Sequence, residues 1–197
     1  YANGIFPWYS EGQPILWFSP DPRYVLEPSK LHIGRSLRKV IRNRGYSVTL
    51  DTAFEQVIDA CKETPRPGQD GTWITTDMRD AYCRLHALGH AHSVEVWSEG
   101  RLVGGLYGVA VGRLFAGESM FSRASDASKT GLVWLVRQLM VWGFELVDAQ
   151  IRTDTLERLG AEDLSRADYV ERIASLVRAE GRVGKWVFDP KFDPLEI

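Results

Sequence analysis

The stretch GESMFSRASDASKTGLVWLV, residues 117–136, predicts a strand, a polar turn and a helix in direct succession. The helix, 127–142, is apolar almost all round, so we expect it to be buried against a sheet. The strand carries a carboxylate, Glu118, beside Met120 and Phe121. Because an unpaired buried carboxylate is strongly destabilising, Glu118 must reach water or meet a specific partner.

The segments around this stretch predict a mixed sheet. Residues 92–122 read as three antiparallel strands, and residues 144–151 form a further strand after the buried helix. Other patterns predict strands at 23–28, 46–51 and, as an edge, 185–190, helices at 30–45, 52–63, 73–89 and 165–181, and loops at 1–22 and 64–71. A meander followed by a crossover helix and a parallel strand resembles the sheet of the GNAT acyltransferases. The predicted fold class is therefore α+β, with a GNAT-like, largely antiparallel sheet and flanking helices.

Composition restricts the class of protein. Of the 197 residues, 44% are apolar and 25% are charged, which is ordinary for a soluble globular chain. The two cysteines fall in helical patterns, so we expect neither a disulfide framework nor a zinc module, and a cytoplasmic location fits best. No apolar run approaches the roughly 20 residues that span a bilayer, so we expect no membrane partner.

The net charge of −2 hides an uneven distribution of charge along the chain. The stretch from Arg23 to Arg44 contains seven basic residues and one acid, Glu27, whereas the tail beyond Glu145 is acidic. This asymmetry suits a phosphate-bearing ligand at one end of the molecule, although a solvated basic helix would give the same pattern.

Polar side chains lie on the two strands that flank the buried helix. Side chains two apart share a strand face, so Glu118 points the same way as Met120, and Asp148 the same way as Gln150. If the two faces agree, an acid, a second acid and an amide converge beside apolar side chains, which is typical of a small-ligand site. A buried polar network that only stabilises the sheet is the alternative.

The turn between the strand and the buried helix disfavours acetyl-CoA as an acyl donor. A CoA-binding loop needs glycine-rich backbone whose free N–H groups accept the pyrophosphate. Here SRASDASKTG, 122–131, has one glycine, already inside the helix, and the side chains of Asp126 and Lys129. We therefore expect no bound cofactor, and a donor whose acyl group is carried by another molecule.

Three histidines, His86, His90 and His92, have the spacing H-x3-H-x-H. A metal site needs such convergence, usually with a fourth ligand. Gly89 breaks the predicted helix between the first two, so their side chains are not fixed on one face. Hydrogen-bonded structural histidines are the preferred interpretation, and we predict no metal site.

Several longer motifs resemble those of one family. The segments GIFPWYSEGQPILWFSPDPR, GTWIT, LHALGHAHSVEVW, LVGGLYGVAVGRLFAGESMFSRASDASKTGL and VDAQ are similar to the leucyl/phenylalanyl-tRNA–protein transferases, from Asn3 to about Tyr169. The resemblance implies transfer of Leu or Phe from aminoacyl-tRNA to proteins with N-terminal Arg or Lys, which marks them for degradation. It also implies that residues 1–22 end a small N-terminal domain whose start is missing, and that residues 23–197 form the GNAT-like catalytic domain.

The resemblance implies a role for residues that match the family motifs. Trp8 and Trp73 resemble the pair that stacks on the terminal adenosine of the tRNA. Glu118 would hold the α-amino group of the aminoacyl ester. The walls of the pocket for the Leu or Phe side chain would be Leu106, Met120 and Leu132.

The same resemblance implies the chemistry and the tRNA surface. Asp148 and Gln150 resemble the catalytic pair, with Asp148 orienting Gln150 or acting as the base through it, and Gln150 contacting the amine and the tetrahedral centre. Thr155 stands where family members commonly carry a His, which leaves the acceptor preference open. The tRNA acceptor stem would lie on Arg35, Arg38, Lys39, Arg42 and Arg44. The family also suggests a monomer.

Two other functions stay open from the sequence. One is a GNAT-fold module that binds tRNA or an N-terminal peptide without catalysis. The other is an acetyl-CoA-dependent N-acetyltransferase, which measurable acetyl-CoA binding would support.

Overall fold

The computed structural model describes residues 1–65 and 73–196, so most of the predicted loop at 64–71 lies outside the described residues. The strands are β1 (Phe6–Pro7), β2 (Trp17–Phe18), β3 (Arg23–Leu26), β4 (Ser47–Leu50), β5 (Ala91–Ser98), β6 (Arg101–Val111), β7 (Leu114–Ser122), β8 (Leu146–Gln150) and β9 (Glu162–Leu164). The helices are α1 (Arg35–Asn43), α2 (Phe54–Glu63), α3 (Thr76–Ala87), α4 (Ala127–Val141), α5 (Asp154–Arg158) and α6 (Arg166–Leu176), with a short 3-10 helix at Pro28–Lys30.

One mixed sheet organises the molecule. Within the described residues its strand order is β4-β5-β6-β7-β8-β3-β9, and β1 pairs with β2 in a separate hairpin. Neighbouring strands pair antiparallel except β7 and β8, which run parallel and are joined by the crossover helix α4. The mixed, largely antiparallel sheet with flanking helices confirms the predicted α+β class, in the arrangement expected of a GNAT-like fold.

Helix α4 is the centre of the main core, as its apolar sequence predicts. It packs on β5, β6 and β7 and also contacts α1 and the 3-10 helix. Its buried side chains Leu132, Val133, Leu135, Val136 and Leu139 share a cluster with Leu37 of α1 and with residues of the sheet. A helix that is apolar on most sides needs a partner on each of them, and these elements supply those partners.

The C-terminal segment differs from the prediction. Residues 185–190 form no strand, and Trp186 instead inserts its ring into the core, where it stacks on His92 with ring centroids 3.5 Å apart. The amide of Trp186 donates to the carboxylate of Asp51 at 2.7 Å. The predicted edge strand was wrong because the buried ring of Trp186 and the bond of its amide to Asp51 hold this segment, which pairs with no described strand.

Other differences are local. The basic helix begins at Arg35 rather than Lys30, because Gly34 has an extended backbone and the preceding Leu31 and Ile33 are buried in the core. The segment 1–22, predicted as a loop, contains the β1–β2 hairpin, and α5 and β9 were not predicted. Within the described part of the chain, no helix combines the length and the apolar character needed to cross a membrane.

Candidate functional site

The candidate site is a cavity at the point where β7 and β8 separate. The two strands pair at Leu114–Leu146, Phe115–Val147 and Ala116–Asp148, and no later pair joins them among the described residues. The following residues of both strands line a cavity of about 410 Å³. The gap between the parallel strands therefore places polar side chains of each strand around one space.

Glu118 reaches this cavity because β7 contains a bulge. Tyr107 of β6 pairs with Ser119 and Gly108 pairs with Gly117, so Glu118 is the extra residue between them. Bulges of this kind redirect a side chain and are frequent beside functional sites. A Cβ atom on Gly108 would lie only 2.3 Å from the carbonyl oxygen of Ala116, so the local packing requires glycine there.

The carboxylate of Glu118 accepts three hydrogen bonds. Tyr1 Oη and Gln150 Nε2 donate to Oε1 at 2.7 and 2.9 Å, and Tyr82 Oη donates to Oε2 at 2.7 Å. Since a carboxylate offers about four acceptor positions, one position at Oε2 is left for a ligand. Burial raises the pKa of Glu118 to about 7, the nearby charge of Asp148 acts in the same direction, and the three hydrogen bonds oppose them.

Asp148 is fully occupied by protein donors. Arg23 donates through Nε to Oδ1 at 2.8 Å and through Nη2 to Oδ2 at 2.6 Å. Tyr169 Oη donates to Oδ2 at 2.7 Å, and the backbone N–H of Gln150 donates to Oδ1 at 2.9 Å. With four donors around a buried carboxylate, Asp148 is built to hold its neighbours in position.

Gln150 ends β8 in the left-handed region, with φ of 62°. This conformation is unfavourable for a residue with a side chain, and the hydrogen bond from its N–H to Asp148 helps to hold it. The side-chain nitrogen is fixed by Glu118, whereas no hydrogen bond from a described residue engages the side-chain oxygen. Gln150 therefore offers an oriented acceptor to a ligand in the cavity.

The rest of the cavity is aromatic and apolar. Trp8 lies in the segment after β1 and is half-buried beside Phe18, and Trp73 is buried just before α3. Leu106, Met120 and Leu132 contribute from β6, β7 and α4. Further lining residues that the sequence did not single out include Phe115, Val147 and Leu156.

The eight residues predicted for catalysis and substrate binding all line this one cavity. They are Trp8, Trp73, Leu106, Glu118, Met120, Leu132, Asp148 and Gln150. The predicted tRNA-binding residues, four on α1 and Arg44 directly after it, do not line the cavity. Thr155 does not line it either, although the neighbouring Thr153 and Leu156 do. The structure thus separates the predicted residues into a cavity and a basic helix.

Four polar partners in the site were missed from the sequence, namely Arg23 and Tyr169 on Asp148, and Tyr1 and Tyr82 on Glu118. Arg23 had been counted in the basic stretch, but it is buried between the rings of Phe6 and Tyr169 and bound to Asp148. Tyr1 and Tyr82 bind Glu118 across long sequence separations. A basic residue at the start of an otherwise apolar strand was the one available signal, since such a position demands a buried partner.

Two of the three histidines, His86 and His92, have side-chain partners in the protein. His86 Nδ1 lies 2.8 Å from the carbonyl oxygen of Ala91, and His92 Nδ1 lies 2.8 Å from Asp51 Oδ2. Among residues 1–65 and 73–196, no group of three or more His, Cys, Asp or Glu side chains is placed to hold a metal ion. Burial lowers the pKa of His92, against the effect of Asp51.

Comparison with known proteins gives consistent matches along the chain. The sequence profile described as leucyl/phenylalanyl-tRNA protein transferase matches residues 25–174, and the profile of the N-terminal domain of the same family matches residues 1–21. A leucyl/phenylalanyl-tRNA–protein transferase of Myxococcus xanthus is 54% identical over 98% of this chain and 83% of its own length. A protein of the same name from Stutzerimonas stutzeri is 60% identical over 88% of this chain and 76% of its own length.

Proposed function

Because the chain belongs to the leucyl/phenylalanyl-tRNA–protein transferase family, we propose that its cavity holds Leu or Phe at the 3′ end of a tRNA and delivers it to a protein. The chain is an aminoacyltransferase, and its substrates are an aminoacyl-tRNA and a protein acceptor. The acceptor is the N-terminal α-amine of proteins that begin with Arg or Lys, and the protein works as a monomer in the cytoplasm.

The apolar part of the cavity suits the side chain of the donor amino acid. Leu106, Met120 and Leu132 line it, and the unbranched side chain of Met120 can adapt to both Leu and Phe. A side chain branched at Cβ would clash with such walls, and about 1–3 kcal/mol of discrimination is available for a misplaced methylene. The terminal adenosine lies on the indole rings of Trp8 and Trp73 at the same cavity.

The polar part of the cavity suits the two ends of the reacting ester. The remaining acceptor position on Glu118 Oε2 receives the α-ammonium group of the donor, in a charge-assisted hydrogen bond. The oxygen of Gln150 accepts an N–H of the incoming amine and so aims its lone pair at the ester carbonyl. The supporting observation is the continuous hydrogen-bonded series from Glu118 through Gln150 to Asp148 and Arg23.

The reaction is an aminolysis of an ester that is already activated. The neutral amine attacks the carbonyl carbon, a C–N bond forms, and the bond from that carbon to the 3′ oxygen of the ribose breaks. The proton lost by the amine is gained by the released 3′ oxygen. Asp148 acts as a positioning residue, because one of its four hydrogen bonds holds the backbone N–H of Gln150 and the four together leave no free acceptor position.

The test uses purified protein, tRNA charged with labelled Leu, and a peptide that begins with Arg. Transfer of the label is expected, and Asp148→Ala should lower it strongly. Tight tRNA binding without transfer would support the non-catalytic binding module. Calorimetric binding of acetyl-CoA, with transfer of an acetyl group to the peptide, would support the N-acetyltransferase.

Substitution of Trp8, with Trp17 as its matched control, tests the adenosine site. Trp8→Ala should weaken the apparent affinity for aminoacyl-tRNA by about 1–3 kcal/mol, the contribution of stacking one base. Trp17 is 59% exposed on β2 and does not line the cavity, so Trp17→Ala serves as the control. Equal effects of the two substitutions would contradict the placement of the adenosine on Trp8.

A further inference from the structure

Helices α1 and α4 pack against each other, and neither contains an acidic residue. The acid-free stretch around α1 runs from 28 to 50, and that around α4 runs from 127 to 144. Basic side chains on these stretches therefore depend on other elements for counter-charges. The contact between the two helices brings Arg38 of α1 within electrostatic range of Arg137 of α4.

Lys30 and Lys129 are paired with acidic residues, whereas, in the described part of the chain, Arg38 and Arg137 are not. Lys30 lies 3.2 Å from Glu27 and 2.8 Å from Glu162, and Lys129 lies 2.7 Å from Asp126. For Arg38 and Arg137, no carboxylate of a described residue lies within salt-bridge distance. Among the residues that the structure describes, the partner of Arg38 Nε is the carbonyl oxygen of Ile33, which accepts at 3.1 Å.

Of the two arginines, Arg137 is in the less favourable environment. Its Nε is buried and has no hydrogen-bond partner among the described residues. Burial lowers the pKa of Arg137, and the charge of Arg38 lowers it further. Two like charges that lack a counter-ion destabilise the fold, so a bound anion between them would remove a cost that the free protein carries.

We propose that Arg38 and Arg137 together bind one backbone phosphate of the tRNA at the contact between α1 and α4. The guanidinium group presents a planar fork of donors that matches phosphate oxygens, and its charge does not depend on pH in the working range. The exposed Arg35, Lys39 and Arg42 flank Arg38 along α1 and extend the surface for neighbouring phosphates. The inference rests on the proposed function, and adds Arg137 and a position for one phosphate to it.

The binding test compares Arg38→Met, Arg137→Met and the double variant by equilibrium binding of tRNA over a range of salt concentrations. Each single change should weaken binding about tenfold and reduce the slope of log affinity against log salt by about one. The double variant should lose little more than either single variant, because both side chains bind the same phosphate. Arg113→Met is the control, since Arg113 is exposed and lies 3.7 Å from Glu145. Unchanged affinity of Arg137→Met would overturn the proposal.

Thermal unfolding separates this role from a structural one. Without tRNA, Arg137→Met should raise the unfolding midpoint by about 2–4 °C, because it removes a partly buried charge that faces a like charge. A residue that only supports the fold would lower the midpoint, and loss of affinity together with a lower midpoint would overturn the proposal. Inorganic phosphate that stabilises the wild type but does not compete with tRNA would identify a site for free anions, which also overturns it.

A donor substrate without a tRNA body tests this inference separately from the proposed function. Leucine esterified to adenosine has no tRNA backbone, so its transfer should be equal in the wild type and in Arg137→Met. With full-length aminoacyl-tRNA, the KM of Arg137→Met should be about tenfold higher. If the wild type transfers from neither donor, the proposed function fails, and the tRNA affinities still decide the role of Arg137.

Discussion

The guanidinium of Arg23 donates to both carboxylate oxygens of Asp148, at 2.8 and 2.6 Å, and both side chains are 1% exposed. The pair joins the start of β3 to the middle of β8, where Asp148 lines the cavity. Because Asp148 in turn holds the N–H of Gln150, the position of the proposed catalytic amide depends on Arg23, which is 125 residues from Asp148 in the sequence but lies on the neighbouring strand of the sheet.

Arg23→Met is expected to destabilise the protein by about 3–5 kcal/mol, because it leaves the carboxylate of Asp148 buried without its counter-ion. The measurement is the free energy of unfolding in urea. Arg172→Met is the matched control, since Arg172 pairs with Glu27 at the surface, at 2.7 Å, and such pairs contribute less than about 1 kcal/mol. A loss as small as that of the control would show that Asp148 finds another partner or becomes protonated.

Gln150→Ala and Gln150→Gly should both lower kcat by about 10²- to 10³-fold, the effect of removing one group that contacts the transition state. The two variants should differ in stability. Glycine accepts the φ of 62° without strain, so Gln150→Gly should be about 1 kcal/mol more stable than Gln150→Ala. Activity close to that of the wild type in either variant would remove Gln150 from the reaction.

The cavity could be predicted from the sequence because the side chains that share one face of a strand are two residues apart in the chain. Period-two alternation placed Asp148 with Gln150 on one face, and the family motifs supplied Trp8 and Trp73. The strand order around α4 followed from the buried helix and the meander before it. These features depend on residues close together in the chain, or on motifs long enough to be specific.

The missed features depend on contacts between distant residues. Nothing near Tyr82 indicates that its hydroxyl meets Glu118, and Arg23 looked like one more member of a basic stretch. Trp186 sits in a polar tail that resembles an edge strand until its ring is seen in the core. Simple alternation also overlooked the bulge at Glu118, because Gly117, Glu118 and Ser119 are not apolar, so the shift that the extra residue causes is not visible in the apolar pattern.

Gly108→Ala should destabilise the protein by about 3 kcal/mol or more and abolish transfer, because the new methyl group would meet the backbone of β7. Its Cβ would lie 2.3 Å from the oxygen of Ala116 and 2.6 Å from the ring of Phe115. Gly117→Ala is the control for stability, since the nearest atom to its Cβ would be 3.6 Å away. If Gly108→Ala unfolds like Gly117→Ala, the packing beside the bulge at Glu118 does not require glycine at position 108.

The affinity for the donor should depend on pH through Glu118. With its pKa raised to about 7, Glu118 loses its charge as the pH falls through that value, and the bond to the donor α-ammonium weakens. At pH 6 about one tenth of the carboxylate is ionised, so affinity should fall about tenfold from its maximum. The measurement is binding of an adenosine that carries phenylalanine through a stable 3′ amide.

Glu118→Gln and an altered ligand isolate this titration. Glu118→Gln should bind the analogue more weakly and lose the acid limb, which is the fall in affinity at low pH. Only the opposite dependence of affinity on pH should remain, which comes from protonation of the ligand amine. An analogue with a hydroxyl in place of the α-amine should bind the wild type without the acid limb. An acid limb that survives in Glu118→Gln would assign the titration to another group.

The stability of the fold should also depend on the pKa of Glu118. Ionisation of Glu118 strengthens binding of the donor, but it lowers the stability of the folded protein. A carboxyl group whose pKa is raised from 4.5 to about 7 on folding favours the folded state below pH 4.5, and that contribution is lost as the pH rises through 7. Since Glu118→Gln cannot ionise, its free energy of unfolding should increase relative to the wild type from pH 4.5 to pH 8. Parallel stability curves for the two proteins would mean that Glu118 is ionised as easily in the folded as in the unfolded chain, and that the cavity does not hold a near-neutral acid.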